Sequence, residues 1–264
     1  MVNLFFNLGL KSKKILISVM QFFNFVGGIF YKKENSHLKR RIQWEMIILF
    51  LQRTGVNATP IVLLLSFLIG SVLIYQSINQ LEKFGAETMS VSFLGIAVFR
   101  EISSLITAII VAGRTGSSFT AQIGVMKMNQ EIDAIKSFGL DPVSLLAVPR
   151  IISLIISLPI LTFISMIAAV FGGYLLSSVI LDISFQQFFS QLQIHISINH
   201  FYIGMSKSPI FAIIIGLISC FRGFSVEKTS ESLGKMTTKS VVDSIFLIVL
   251  WDAIFSVFCS SLGY

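Results

Sequence analysis

The sequence predicts an all-α, polytopic integral membrane protein, and three observations carry that reading. Hydrophobic residues make up 54% of the 264-residue chain and charged ones 12%, a balance far from that of a soluble domain. Mean hydropathy is +0.84, and several apolar runs reach the about 20 helical residues needed to cross about 30 Å of hydrocarbon. Lys and Arg collect in alternate connections between those runs, which is how orientation in a membrane is encoded. With no low-complexity tract or Pro/Ser-rich linker, the chain offers room for one helical bundle and no obvious room for a separate soluble domain.

Residues 15 to 30, ILISVMQFFNFVGGIF, follow Lys11, Lys13 and Lys14 but precede no small-x-small cleavage site, so they do not read as a signal peptide. The run is short for a span, and crossing would put YKKENSHLKRR on the wrong side. A helix lying in the cytoplasmic interface is preferred, with a sixth span as the alternative. Residues 42 to 55, IQWEMIILFLQRTG, read as a second interfacial elbow, with Trp44 at headgroup depth and Gly55 ending it. Five spans are then expected near 59 to 80, 91 to 113, 147 to 178, 201 to 221 and 240 to 261. Pro149, Pro159 and the excess length of the third predict a tilt, a kink or a cytoplasmic extension, and Gly172-Gly173 predicts close helix packing.

Basic residues set the direction. Residues 31 to 53 carry Lys32, Lys33, Lys39, Arg40, Arg41 and Arg53, whereas 81 to 90 carry only Lys83 and 179 to 200 carry none. Residues 114 to 150 hold Arg114, Lys127, Lys136 and Arg150, and residues 222 to 239 hold Arg222, Lys228, Lys235 and Lys239. The alternation fits five spans with the N-terminus inside and the C-terminus outside. The net charge of +7 then speaks of topology and anionic lipid, not nucleic acid.

The connection 114 to 146 is polar and patterned. Ser117 or Ser118 can cap a helix, Gly139 suits a left-handed C-terminal cap, and Asp141-Pro142 stops continuation, so the spacing predicts a helix over 118 to 138. Val125, Met128, Ile132 and Ile135 form one apolar stripe, while Phe119, Ile123 and Met126 fall nearly opposite. Two faces imply two contacts, one with the bundle and one with a protein partner, Gly124 offering a bend. An amphipathic helix resting on the membrane would show the same pattern.

Four charges lie inside predicted spans: Arg100, Glu101, Lys207 and Asp252. Each sits about 9 to 18 Å from the nearer helix end at about 1.5 Å per residue, and each costs on the order of 3 kcal/mol to insert. Brought together they are net neutral. They read either as an ion-pair network that fixes helix register or as the polar lining of a cavity for an amphiphile's headgroup. Asp243 reads as interfacial.

Catalytic constellations are not found: there is no G-x-S-x-G, no H-E-x-x-H and no G-x-x-x-x-G-K-[ST] phosphate cradle. Cys220 and Cys259 read as packing residues, and His195 and His200 as solvated or interfacial, so no catalytic residue, metal or cofactor is expected.

The stretch 99 to 161 strongly resembles the MlaE/YrbE family, the permease subunits of MCE-associated ABC transporters. The resemblance rests on A-G-R-x-G-x-x-x-x-A-x-I-G-x-M, carried by Ala112, Gly113, Arg114, Gly116, Ala121, Ile123, Gly124 and Met126, followed by Asp141-Pro142 and Pro149-Arg150. A second block, residues 223 to 252, is similar to the family's G-x-x-x-x-x-x-A-x-G-x-G-x-x-T-T-x-A-V stretch, and the likeness runs over about 45 to 262. Asn129-Gln130-Glu131-Ile132 departs from the usual E-Q pair, as do Ser232 and Lys235 from the usual residues there. The resemblance implies a transmembrane permease domain over 56 to 264, preceded by cytoplasmic or interfacial amphipathic helices over 1 to 55. It implies a homodimer in the bacterial inner membrane, an ATP-binding subunit dimer below and a periplasmic ring of MCE-domain proteins above. Such an assembly moves phospholipid or a related lipid between inner and outer membranes and maintains outer-membrane lipid asymmetry, ATP being hydrolysed by the separate subunit. It also makes 118 to 138 a coupling helix, with Gln122, Met126, Lys127, Gln130, Glu131 and Asp133 facing the ATPase, and places Arg100, Glu101, Lys207 and Asp252 in or near a lipid cavity. Two other classes fit parts of the pattern: an ATP-independent secondary transporter or channel using the charges as an ion or proton relay, and a membrane scaffold.

Overall fold

A computed structural model describes residues 16–17, 19–29 and 37–262. All regular structure among them is helical: α1 (Val19–Ile29), α2 (His37–Thr54), α3 (Thr59–Glu82), α4 (Ser90–Ala97), α5 (Ser103–Val111), α6 (Ser117–Met128), α7 (Glu131–Ser137), α8 (Pro142–Ile180), α9 (Phe185–His195), α10 (Ile198–Phe224) and α11 (Ser230–Ser261). Five helical runs are long and apolar enough to cross a membrane: Gln43–Glu82, Glu87–Met128, Pro142–Ile180, Ile198–Phe224 and Ser230–Ser261.

The helix α1 is about 16 Å long, too short to cross. It lies with Phe22 and Phe25 against Phe221 and Phe224 at the end of α10, ring centroids 5.3 to 5.8 Å apart. In α2, Ile47 and Phe50 are buried while Trp44 and Ile48 are exposed, and Gln43 Nε2 donates to the Ser144 carbonyl at 3.1 Å. The helix ends at Thr54, next to the expected Gly55, and a 3-10 turn over Val56–Ala58 leads into α3, where Pro60 occupies the first turn.

The long α8 is the central pillar, running without interruption through Pro149 and Pro159. It starts at Pro142 instead of near 147, because Asp141 accepts from Ser144 N at 3.0 Å and so caps a helix that Pro142 opens. Against α3 it packs backbone to backbone. A Cβ on Gly172 would stand 2.2 Å from the Phe67 carbonyl oxygen, and one on Gly70 2.0 Å from that of Ala169. Ser66 and Ser165 share a hydrogen bond of 2.7 Å across the same seam. The close packing expected of Gly172-Gly173 is thus present.

The second crossing departs from expectation. Instead of ending near 113 and restarting at a serine cap, the chain is one helical run over Glu87–Met128, widened by π-helical turns at Val98–Ile102 and Ala112–Gly116. Ser117 caps nothing; its hydroxyl donates back to the Arg114 carbonyl at 3.0 Å. The second π turn takes up Gly113 and Gly116 without breaking the helix.

The helix expected over 118 to 138 is two helices. The chain breaks at Asn129–Gln130, where Gln130 takes a left-handed φ of 61°, and not at Gly124. Gly124 is buried, and a Cβ there would meet Leu233 Cδ1 at 2.5 Å; it is a contact point with α11. The break re-aims α7 so that Ile132 and Ile135 turn to the same cluster as Ile123 and Met126, while Val125 of the first stripe stays exposed. Ile123 and Ile132 are buried in one cluster with Leu146, Ile151 and Cys220, and Met126 and Ile135 pack on it. Gly139 does terminate α7 with φ 77°.

Two further helical features were not foreseen. Between the third and fourth crossings α9 carries a capping box, Ser184 Oγ accepting from Gln187 N and Gln187 Oε1 from Ser184 N. The last helix begins at Ser230, ten residues before the expected span, with Thr229 as its cap. That extension sets Leu233 against Gly124 of α6, and Ser240 at the head of the expected span meets Thr120 at 2.9 Å.

Candidate functional site

The four intramembrane charges meet. Lys207 reaches them from α10, Asp252 from α11, and Arg100 and Glu101 from the π turn of the second crossing. Lys207 lies nine residues into α10 and Asp252 nine from the end of α11, so both stand about 14 Å along their helices. The Lys207 ammonium donates to the Glu101 carboxylate, pairs with Asp252 Oδ1 at 2.8 Å and donates to Ser256 Oγ at 3.0 Å. Ser256 in turn donates to Glu101 Oε1 at 2.8 Å, and Arg100 Nε lies 3.7 Å from the same oxygen. The Lys207 side chain is fully buried, whereas Arg100 and Glu101 retain 19% and 30% exposure. One cation is therefore locked between two anions while the outer pair stays reachable.

Backbone geometry makes this possible. A π turn holds an extra residue, which displaces side chains from the ordinary helical register. Opposite it stands Gly204, where a Cβ would lie 2.0 Å from the Phe99 carbonyl oxygen, so only glycine lets α10 approach this closely. Lys207 follows three residues later on the same face. On α11, Asp252, Phe255 and Ser256 share one face, and the Phe255 ring centroid is 5.7 Å from the Lys207 ammonium. Behind the same turn an apolar cavity of about 340 Å³ is lined by Phe99, Phe163, Met166, Phe171, Tyr174 and Phe189. A polar cluster next to an apolar chamber can receive an amphiphile.

At the other end of the bundle, the residues expected to meet a partner divide. Gln130, Glu131 and Asp133 are exposed on the α6–α7 elbow, with Asp133 paired to Lys136 at 3.4 Å. Gln122, Met126 and Lys127 instead tie the elbow to the bundle. Gln122 Oε1 accepts from Arg150 at 3.3 Å, Met126 packs on the Ile123 cluster, and Lys127 donates to the Phe224 carbonyl at 2.6 Å. Asp243 pairs with Arg222 at 2.6 Å.

Sequence reasoning did not single out Ser256, Phe255 or Gly204. The spacing of Ser256 four residues after Asp252 was a usable signal, since i and i+4 share a helix face; the two π turns left no periodic trace.

The family model for the MlaE permease matches residues 47–258. The chain is 32% identical over 216 residues to a probable ABC transporter permease protein of Rickettsia prowazekii, covering 82% of this chain and 83% of that one. It is similar to the Arabidopsis thaliana chloroplastic protein TRIGALACTOSYLDIACYLGLYCEROL 1, 31% identical with 84% of this chain and 63% of that one covered. A probable ABC transporter permease of Pyropia yezoensis is 34% identical, with coverages of 77% and 78%.

Proposed function

The chain belongs to the MlaE permease family, and from that premise we propose that it moves phospholipid or a related lipid between the inner and outer membranes of a bacterial cell, sustaining outer-membrane asymmetry. It is a permease and not an enzyme, ATP hydrolysis residing in a separate subunit. Residues 56–264 form the transmembrane domain, preceded by interfacial helices within 1–55, of which residues 1–15, 18 and 30–36 lie outside the described residues. It sets the N-terminus in the cytoplasm, as the basic connections require, and the charged cluster toward the periplasmic half.

Lys207 carries the proposal: it is fully buried at mid-helix between Glu101 and Asp252, with the apolar cavity adjoining through Phe99. A purely structural ion pair would have no need of half-open partners. Arg100 and Glu101 remain partly exposed, suited to meet a zwitterionic or anionic headgroup while acyl chains enter the apolar chamber. The Arabidopsis relative's name, that of a glycerolipid, supports lipid as the cargo class.

Work is delivered at the α6–α7 elbow. The exposed Gln130, Glu131 and Asp133 meet the ATPase dimer, and Gln122, Met126 and Lys127 transmit displacement into α8 and α10 through the bonds described above. A second copy of the chain packs along α11, whose apolar window is 11% buried against 56% for α8 and α10, and a ring of MCE-domain proteins stands on the periplasmic side. The test is ATP-driven lipid transfer from proteoliposomes containing the chain and its ATPase. Lys207→Ala and Asp252→Asn are expected to abolish transfer while leaving ATPase binding intact; wild-type transfer in both variants would remove the cluster from the mechanism.

A further inference from the structure

At the elbow end of the bundle lies another cavity, this one polar and of about 260 Å³, between the α2–α3 junction and the second π turn. Arg53 and Arg114 stand on its rim with Asn57 and Ser118, and Thr115 and Gln122 line its wall. No carboxylate lines it, and among the described residues neither arginine has an ion-pair partner. A third guanidinium lies behind the wall. Arg150 is 3% exposed, sits 4.6 Å from the Phe50 ring centroid and 5.5 Å from that of Phe119, and bonds the wall residue Gln122. Its Nη1 donates to the Leu146 carbonyl at 2.6 Å, while its Nε is buried without a hydrogen-bond partner. Two guanidinium groups on the rim of one cavity, with a third engaged behind its wall and no carboxylate lining it, suit an anion, and guanidinium forks suit phosphate best.

The surroundings say where that phosphate comes from. Val56 beside the cavity is 67% exposed, and Trp44 on α2 is 58% exposed, as residues at a headgroup layer are. Asn57, Pro60 and Leu64 succeed one another on one helical face. Pro60 and Leu64, with Leu63 and Phe67, line an apolar groove of about 450 Å³ between α3 and α8. Along this face the polar lining at Asn57 gives way one turn later to the apolar lining at Pro60.

We infer that this cavity binds the phosphate of an anionic membrane lipid whose acyl chain lies in the α3–α8 groove. The site is separate from the Lys207 cluster and stands whether or not that cluster handles cargo. Because its walls are α2, the second π turn and α6, an occupied site ties the elbow to the membrane surface.

The test uses the full-length chain with its copurifying subunits in detergent, offered equal amounts of phosphatidylglycerol and phosphatidylcholine and read by native mass spectrometry. The wild type is expected to retain phosphatidylglycerol about tenfold over phosphatidylcholine, as charge-assisted contacts predict. Arg53→Gln/Arg114→Gln, both at exposed positions, should remove that preference, and Asn57→Asp should cut it several-fold without touching either arginine. Undiminished retention in both variants overturns the site. A parallel arm adds inorganic phosphate: failure to displace the lipid is expected, whereas full displacement at millimolar concentration would make this a site for free phosphate and overturn the lipid assignment.

Discussion

Gly204→Ala is the sharpest perturbation of the cluster, because it changes no charged group. The added Cβ would lie 2.0 Å from the Phe99 carbonyl oxygen and 3.1 Å from Met166 Cε. The nearest obstacle is backbone, so α10 must retreat by roughly 1.4 Å to reach ordinary contact. Lys207 moves with it. Retreat from the turn that holds Phe99 draws Lys207 away from Glu101 on that same turn, and at an effective dielectric of about 20 an ion pair lengthened from about 2.8 Å to about 4.2 Å loses about 2 kcal/mol. Overpacking adds about 1 to 3 kcal/mol, for a total of about 3 to 5 kcal/mol. Thermal unfolding of the detergent-solubilised protein should show a Tm lower by about 6 to 15 °C, with lipid transfer lost. Gly234→Ala is the control: a Cβ there meets nothing within 4 Å, so helix propensity should make it neutral or stabilising by up to about 1 kcal/mol. Wild-type stability in Gly204→Ala would refute the claim that glycine's close approach sets the cluster.

Three other outcomes are expected. Lys207→Ala leaves Glu101 and Asp252 without their shared cation and should cost about 3 to 5 kcal/mol; adding Asp252→Asn should recover part of this, and strict additivity in the double-mutant cycle would deny the pair. Gln130→Gly relieves a left-handed residue and should stabilise by about 1 kcal/mol in chemical denaturation, whereas Gln130→Val should destabilise by a similar amount. Glu131→Lys with Asp133→Lys alters exposed groups, so Tm should hold while copurification of the ATPase is lost; retained copurification would remove these residues from the interface.

Much of the architecture was legible because bilayer crossing imposes coarse rules. Length and hydropathy located the five crossings, and insertion cost marked Arg100, Glu101, Lys207 and Asp252 before any contact was known. What escaped is local backbone geometry. A π turn replaces one hydrogen-bonding pattern by another without a characteristic residue, so the widening at Val98–Ile102 that presents Arg100 and Glu101 was invisible. Periodicity over 118 to 138 assumed an unbroken helix, and one left-handed residue, Gln130, turned Ile132 and Ile135 toward the cluster of Ile123 and Met126. Gly204 looked like any glycine until its neighbour across the interface was seen. The capping box at Ser184 and Gln187 was written in the sequence, where residues 179 to 200 were read only for their histidines and their lack of Lys and Arg.

The central claim is that this permease works on lipid through a separate ATPase. Affinity purification of the tagged chain from native membranes, with mass spectrometry of proteins and lipids together, tests it most directly. An ATP-binding subunit, an MCE-domain protein and bound phospholipid recovered in one complex is the predicted result. The chain recovered alone and active in liposomes without ATP would contradict it, and would return the buried charges to the role of an ion or proton relay.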